Sequence, residues 1–134
     1  MKQSIAGIIF HKNSFLIGLR LATGEMGNRW EFPGGKVDSG ETPEMAIKRE
    51  FKEEMNVDVE SGELIASVEF SNKSGTSQLL AYSVFFPENP DIALTEHTRL
   101  KWATLDEIEQ LSFVDSDLLL IPYIKEWLKN EAKK

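Results

Sequence analysis

Cysteine is absent from this chain of 134 residues, and histidine occurs only twice, as His11 and His97. Without cysteine the chain can form neither a disulfide nor a thiolate nucleophile, and two histidines are too few for a multi-histidine zinc site. Long apolar runs are missing as well, so no segment approaches the roughly 20 residues of a membrane-spanning helix. The sequence therefore predicts a cytoplasmic protein, without a membrane partner, in which any metal ion is held by oxygen atoms.

Basic residues are in the minority, because 15 lysines and arginines stand against 22 aspartates and glutamates, for a formal net charge of −7. Binding of a nucleic-acid polymer rests on a basic surface, so this charge argues against such a partner. An acidic protein can still bind a small phosphate compound when a divalent cation lies between them. With 41% apolar residues and no linker-like segment, residues 1–134 are expected to form one domain.

Apolar runs and turn residues predict an α/β fold in which helices flank a mixed sheet. Strands are expected at 5–10, 15–19, 64–70, 79–86 and 100–104, the first two as a hairpin that opens the sheet. Turns are expected at 33–35, 71–75 and 87–90. Helices are expected at 105–110 and 117–131, the second with Leu118, Ile121, Ile124, Trp127 and Leu128 at helical spacing.

A further helix is predicted from Thr42 to Met55. Thr42 is a favourable N-cap, Pro43 suits the first helical position, and Asn56 suits the left-handed conformation that often ends a helix. The apolar stripe of this helix consists of Ile47, Phe51 and Met55.

Three glutamates of this helix, Glu50, Glu53 and Glu54, fall within an arc of about 100° beside the apolar stripe. Such acids usually decorate a solvated surface, but here a separate ladder of favourably ordered charges already faces solvent, formed by Glu44, Lys48 and Lys52. Like charges three and four positions apart repel by a few tenths of a kcal/mol per pair, so a cation is their natural compensator. Mg²⁺ fits better than Ca²⁺, because it takes few carboxylates and binds substrate phosphates.

The spacing of these acids forms a longer pattern. Five residues separate Gly35 from Glu41, and seven more precede the run Arg49-Glu50-Phe51-Lys52-Glu53-Glu54-Met55-Asn56-Val57. This resembles the Nudix box, Gly-x5-Glu-x7-Arg-Glu-U-x-Glu-Glu-x-Gly-U, in which U is a bulky aliphatic residue. Asn56 replaces the usual glycine and Phe51 occupies a U position, so neither departure touches a ligand position. Segments 30–36 and 40–43 also look like MutT-type members of the family.

The resemblance implies a Nudix-type α/β/α sandwich and a hydrolase that cleaves phosphoanhydrides with Mg²⁺, for which Mn²⁺ can substitute. The metal ligands it implies are Glu50, Glu53 and Glu54, with a backbone carbonyl of Gly34 or Gly35. Arg49 would orient Glu50 or Glu53, and Glu41 would brace the loop and the helix. The residues expected to carry catalysis are Glu53, Arg49 and Glu96.

Glu96 lies six residues before Trp102, a spacing similar to that of the extra glutamate in MutT-like chains. It is therefore a candidate for a further metal ligand or for the general base, although it could also belong to a polar loop without a catalytic role. His97 is a second candidate base.

By the same resemblance, Arg20 and Phe32 line the nucleotide pocket, where an arginine can meet phosphate and a ring can stack on a base. The alternatives are a core position for Phe32 and a surface ion pair for Arg20. Asp115 falls near the polar residue that reads the base, where a carboxylate suits the amino groups of cytosine or adenine. Helix N-capping by Ser116 or Asp117 is the competing use of that segment.

The favoured function is hydrolysis of a nucleoside or deoxynucleoside triphosphate, normal or modified, to a nucleoside monophosphate and pyrophosphate. ADP-ribose or another nucleotide sugar is the alternative, because the box recognises only the metal and the pyrophosphate. A nucleotide-sensing module without turnover is a further alternative, against which the intact set of four charged box residues argues. The expected partner is a small nucleotide, and the protein is expected to be a monomer or a homodimer.

Overall fold

The computed structural model describes residues 1–73 and 75–133. Its strands are β1 (Lys2–Ile8), β2 (Phe10–His11), β3 (Ser14–Arg20), β4 (Trp30–Glu31), β5 (Gly34–Lys36), β6 (Glu60–Asn72), β7 (Gly75–Phe85) and β8 (His97–Ala103). Its helices are α1 (Pro43–Met55), α2 (Leu105–Gln110), α3 (Asp115–Leu118) and α4 (Ile121–Ala132).

The strands form two sheets of four strands each. In the first sheet the order is β5-β1-β7-β6, and β1 is parallel to β7 but antiparallel to β5, so this sheet is mixed. The second sheet joins β2, β3 and β4 in that order and adds β8 against β3, with antiparallel pairing throughout its described ladders. The predicted α/β class, with helices flanking a mixed sheet, is confirmed.

The predicted hairpin between 5–10 and 15–19 is wrong in its pairing. The chain leaves β1 at Ile9, so that β1 pairs with β5 and β7, whereas only Phe10 and His11 pair with β3. Lys12 and Asn13 have φ angles of 50° and 65°, as a tight hairpin turn requires. The turn was therefore predicted correctly, but the strand before it is divided between two sheets.

Both faces of the first sheet are buried. Alternate residues of β1 enter different hydrophobic clusters, Ala6 and Ile8 in one and Ile5 in the other, because strand side chains alternate between faces. The second cluster contains the predicted stripe of α1, Ile47, Phe51 and Met55, all fully buried. α1 is therefore fixed to the sheet by one side, and its acids lie along the edge of that contact.

The predicted helix at 117–131 is interrupted. α3 ends at Leu118 and α4 begins at Ile121, with Pro122 in its first turn. A proline ring clashes with the carbonyl four residues earlier, which here belongs to Leu118, so a continuous helix cannot pass this point. Ile121 and Ile124 are buried as expected, whereas Leu118 is exposed. Over residues 1–73 and 75–133, no helix is both long and apolar enough to cross a membrane.

The predicted helix at 105–110 is confirmed as α2, and residues 87–90 form a connection outside the strands and helices. At 71–75 the chain passes between β6 and β7 as expected, although Ser74 lies outside the described residues. The predicted turn at 33–35 is wrong for its glycines, because Gly34 and Gly35 form β5 and pair with β1.

Candidate active site

α1 carries the predicted acids and is bounded by the predicted caps. The Thr42 hydroxyl oxygen accepts from the Met45 amide at 3.1 Å, and Asn56 adopts the left-handed conformation with φ 60° and ψ 38°. Because the apolar stripe of α1 is buried, the three acids beside it differ in solvent exposure. Their side chains are 16% exposed at Glu50, 60% at Glu53 and 3% at Glu54. The helix thus presents one acid to solvent, one at the boundary and one inside.

Arg49 holds the exposed part of this cluster together. Its guanidinium donates to both carboxylate oxygens of Glu41, at 2.8 and 2.9 Å, and to Glu50 at 2.7 Å and Glu53 at 3.1 Å. Hydrogen bonding to Glu41 raises the pKa of Arg49 well above its usual range, and the same bond lowers the pKa of Glu41 to about 2. Arg49 therefore remains a cation that orients two of the predicted metal ligands, while Glu41 fixes Arg49.

Gly35 brings the backbone of β5 against these acids. A Cβ atom at this position would lie 2.5 Å from Oε2 of Glu50, so a larger residue would displace the carboxylate. Gly34 is paired with Ala6 of β1 and lies one residue further from the cluster along the strand. The structure therefore brings β5 against Glu50, and a backbone ligand from Gly34 or Gly35 stays a prediction.

Glu54 is the acid whose environment most requires a cation. Burial is the main cause that raises its pKa to about 9, and the charges of Glu50, Glu31 and Glu96 add to the effect. Its Oε2 atom is buried and has no hydrogen-bond partner among the described residues. Burial likewise raises the pKa of Glu50. A divalent cation would neutralise both groups, so the residues present fit the ion that the sequence implies.

Next to Glu54, His97 pairs with Glu31, a residue that the sequence did not indicate as part of the site. Glu31 accepts from Arg20 at 3.0 Å through Oε1 and lies 2.8 Å from Nε2 of His97 through Oε2. That nitrogen is 4.0 Å from Oε1 of Glu54. The three side chains Glu31, Glu54 and His97 offer ligand atoms within 4.8 Å of one another, which is compatible with a metal ion.

His97 is fully buried against β3, where a Cβ atom on Gly18 would lie 2.5 Å from its ring. A buried ring bonded to Glu31 does not face solvent water, so the geometry favours Glu96 over His97 as the candidate base. Glu96 is exposed, and its charge is among those that raise the pKa of Glu54. Gly18 pairs with Glu31, and a Cβ atom there would meet the His97 ring, so a glycine within a strand was a signal in the sequence of this close approach.

The structure places the predicted base-reading residue, Asp115, in the first turn of α3. It is exposed and forms an ion pair with Arg29 at 2.9 Å. Its neighbour Asp117 is buried instead, accepts from the Phe32 amide at 2.9 Å, and has its pKa raised to about 8, mainly by burial. Neither Ser116 nor Asp117 caps α3, because the N-cap is Val114, so that alternative was wrong.

The two predicted pocket residues also have structural partners. Phe32 is buried, with its ring centroid 6.2 Å from that of Phe15 and 5.3 Å from that of Phe113, so it has the core position given as its alternative. Arg20 keeps 39% of its side chain exposed while it binds Glu31. A role in nucleotide binding stays a prediction for both residues, and solvent reaches only Arg20 readily.

The solvent side of α1 differs from the predicted ladder. Lys48 pairs with Glu60 at 3.0 Å, Lys52 lies 3.5 Å from Asp58, and Glu44 accepts from the hydroxyl of Tyr82 at 3.5 Å. These residues do face solvent, but their partners come from outside the helix.

Comparison with known proteins bears on the same elements. A model of the NUDIX domain matches residues 1–124. A putative 8-oxo-dGTP diphosphatase 2 of Mycobacterium tuberculosis is 34% identical over 116 residues, which cover 84% of this chain and 80% of that one. The CTP pyrophosphohydrolase of Escherichia coli is 30% identical over 125 residues, or 90% and 89% of the two chains. The solution structure of the E. coli ORF135 protein superposes with a TM-score of 0.81 at 28% identity, over 94% and 89%.

Proposed function

The chain belongs to the Nudix hydrolase family, and from that premise we propose that it hydrolyses a nucleoside or deoxynucleoside triphosphate, normal or modified in its base, to a nucleoside monophosphate and pyrophosphate. The relatives from M. tuberculosis and E. coli, both named for triphosphate substrates, support this choice. They cover most of both chains, so the likeness extends beyond the box. We further propose that the chain acts as a single Nudix domain.

The observation that carries this proposal is the buried carboxyl of Glu54, whose Oε2 atom has no hydrogen-bond partner among the described residues, beside Glu50, with Glu53 and the backbone of β5 next to them. These four would hold a divalent cation, Mg²⁺ with Mn²⁺ as a substitute. When bound, the cation would neutralise the pyrophosphate and lower the pKa of a nearby water. A set of carboxylate and backbone oxygens matches the preference of Mg²⁺ for few carboxylates together with substrate phosphates.

The remaining chemistry falls to side chains of this protein. A water oxygen attacks the α- or β-phosphorus, and the bond from that phosphorus to the oxygen bridging the α- and β-phosphates breaks, so that pyrophosphate or the monophosphate leaves. The proton of the water passes to a carboxylate, for which Glu53 and Glu96 are the exposed candidates. Arg49 orients Glu53 through its direct contact. Both positions of attack give the same products, a nucleoside monophosphate and pyrophosphate.

For recognition of the base we propose the segment that contains Asp115 and Asp117. Asp115 is exposed and can accept a hydrogen bond from an amino group of cytosine or adenine once its ion pair with Arg29 is broken. Asp117 is the competing candidate, because its buried carboxyl with a pKa of about 8 can donate as well as accept near neutral pH.

A panel of substrates with Mg²⁺ tests the proposal. Nucleoside triphosphates, deoxynucleoside triphosphates, 8-oxo-dGTP, ADP-ribose and nucleotide sugars would be incubated with the protein, and products separated by anion exchange. We expect one or more triphosphates to give monophosphate and pyrophosphate in equal amounts. If ADP-ribose or a nucleotide sugar is hydrolysed best, the proposed substrate class is wrong, but the proposal that the protein is a hydrolase is kept. Binding of nucleotide without turnover of any member would support the sensing module instead.

A further inference from the structure

The segment at 91–97 crosses the carboxyl end of α1, where a helix leaves its last carbonyls without partners of its own. Met55 O accepts from the Ala93 amide at 3.0 Å, and Glu54 O accepts from the Thr95 amide at 3.0 Å. The Thr95 hydroxyl adds a side-chain bond, donating to Glu53 O at 2.8 Å and reaching Glu54 O at 3.4 Å. Thr95 therefore binds the peptide groups of two of the box glutamates.

Two residues later the same segment is fixed at its other side. His97 is buried, lies 2.8 Å from Glu31 of β4, and packs against Gly18 of β3. Consecutive Cα atoms are about 3.8 Å apart, so a single residue between two fixed neighbours has little freedom of position. Glu96 is that residue. One neighbour binds α1 and the other binds the second sheet.

We propose that Thr95 is a positioning residue for hydrolysis, whose hydroxyl ties the segment to the end of α1 that carries Glu53 and Glu54 and thereby fixes the position of Glu96. This inference rests on the proposed function and extends it to a residue that touches neither substrate nor metal. Thr95 is exposed, so its hydroxyl is not needed to fill the core. Because a catalytic group displaced by about 1 Å can lose roughly a hundredfold in rate, a bond of this kind can matter more for turnover than for folding.

The test removes the hydroxyl of Thr95 while keeping the shape of its side chain. Thr95→Val removes the donor but leaves the backbone bond from residue 95 to Glu54 O, and Thr95→Ser restores a hydroxyl. We expect Thr95→Val to lower kcat about tenfold or more, with KM for the nucleotide within about twofold, and Thr95→Ser to remain near the wild type. Thr104→Val is the matched control, since the Thr104 hydroxyl accepts from the Glu107 amide at 3.2 Å as the cap of α2. It should lower the melting temperature but not kcat.

A double-mutant cycle with Glu96→Gln shows whether Thr95 acts through Glu96. If it does, Thr95→Val combined with Glu96→Gln is no slower than Glu96→Gln alone. If the losses in kcat of Thr95→Val and Glu96→Gln multiply in the double variant, the inference is overturned. A kcat for Thr95→Val equal to that of the wild type would also overturn it. Loss of activity in Glu53→Gln with unchanged activity in Glu96→Gln would also overturn it, while the proposed function would stand. Wild-type protein without any turnover would reject both.

Discussion

Glu54→Gln separates the two consequences of burying a carboxyl group at the carboxyl end of α1. Glutamine has nearly the same size but cannot ionise, so the change removes the charge and leaves the packing. In the metal-free protein, burial and then Glu50 raise the pKa of Glu54 to about 9, against an ordinary value of 4.5. The folded protein therefore binds this proton more tightly than the unfolded chain does.

The sign of the pH dependence follows from that difference. Stability from this group is fully present below pH 4.5 and is lost as the pH rises toward about 9. At pH 7 the pH is about 2.5 units above the ordinary pKa of 4.5. The free energy of unfolding has therefore fallen by about 3 kcal/mol, because one unit is worth about 1.4 kcal/mol. In a domain of this size, about 1 kcal/mol shifts the melting temperature by roughly 3 to 5 °C. Glu54→Gln in chelator is thus expected to melt roughly 10 to 15 °C higher than the wild type at pH 7 and about equally at pH 4.

Catalysis should change in the opposite direction, because the cation loses a ligand. A reduction in kcat of about a hundredfold to ten-thousandfold, or roughly 3 to 5 kcal/mol of barrier, is expected for such a group. The assay combines melting curves at pH 4, 7 and 9, in chelator and in Mg²⁺, with turnover measured at pH 7. Mg²⁺ should raise the melting temperature of the wild type more than that of the variant. A variant that is less stable than the wild type in chelator at pH 7, or that gains as much from Mg²⁺, would refute the reasoning.

Three further predictions concern the metal, the backbone beside it and the base. Chelator should abolish hydrolysis, and added Mg²⁺ or Mn²⁺ should restore it; full activity in chelator would exclude the mechanism. Gly35→Ala places a Cβ atom 2.5 Å from Oε2 of Glu50, so the Mg²⁺ concentration for half-maximal rate should rise about tenfold or more, and an unchanged value would mean that the carboxylate can move freely. Asp115→Ala should change the ranking of bases without changing metal affinity, and an unchanged ranking would leave Asp115 only its ion pair with Arg29.

Local signals were sufficient to predict α1. Its caps at Thr42 and Asn56 and its apolar stripe depend on residues within one short segment, so their effect does not require knowledge of the remaining fold. The regular spacing of the acids in the box is equally local. The degree of burial was not predictable in the same way, because Glu54 lies beside Glu31 and His97, which come from other elements.

Distant pairings explain what the sequence did not reveal. Glu31 and His97 are 66 positions apart and meet only because β4 and β8 both pair with β3. The division of the first predicted strand at Ile9 depends on β7, far along the chain, rather than on any local turn signal. Similarly, Lys48 pairs with Glu60 of β6 and not with the predicted helical partner Glu44, because the fold brings β6 within reach of α1.

The most direct test of the whole account compares kcat for Glu53→Gln and Glu44→Gln under saturating Mg²⁺ and triphosphate. Both replace a solvent-exposed glutamate of α1, but Glu53 is bound by Arg49 within the box, whereas Glu44 contacts only the hydroxyl of Tyr82 among its described partners. The account predicts a loss of about a hundredfold or more for Glu53→Gln and less than about twofold for Glu44→Gln, with similar melting temperatures. If Glu53→Gln retains a kcat close to that of Glu44→Gln, the acids of α1 are not the catalytic machinery and the account is contradicted.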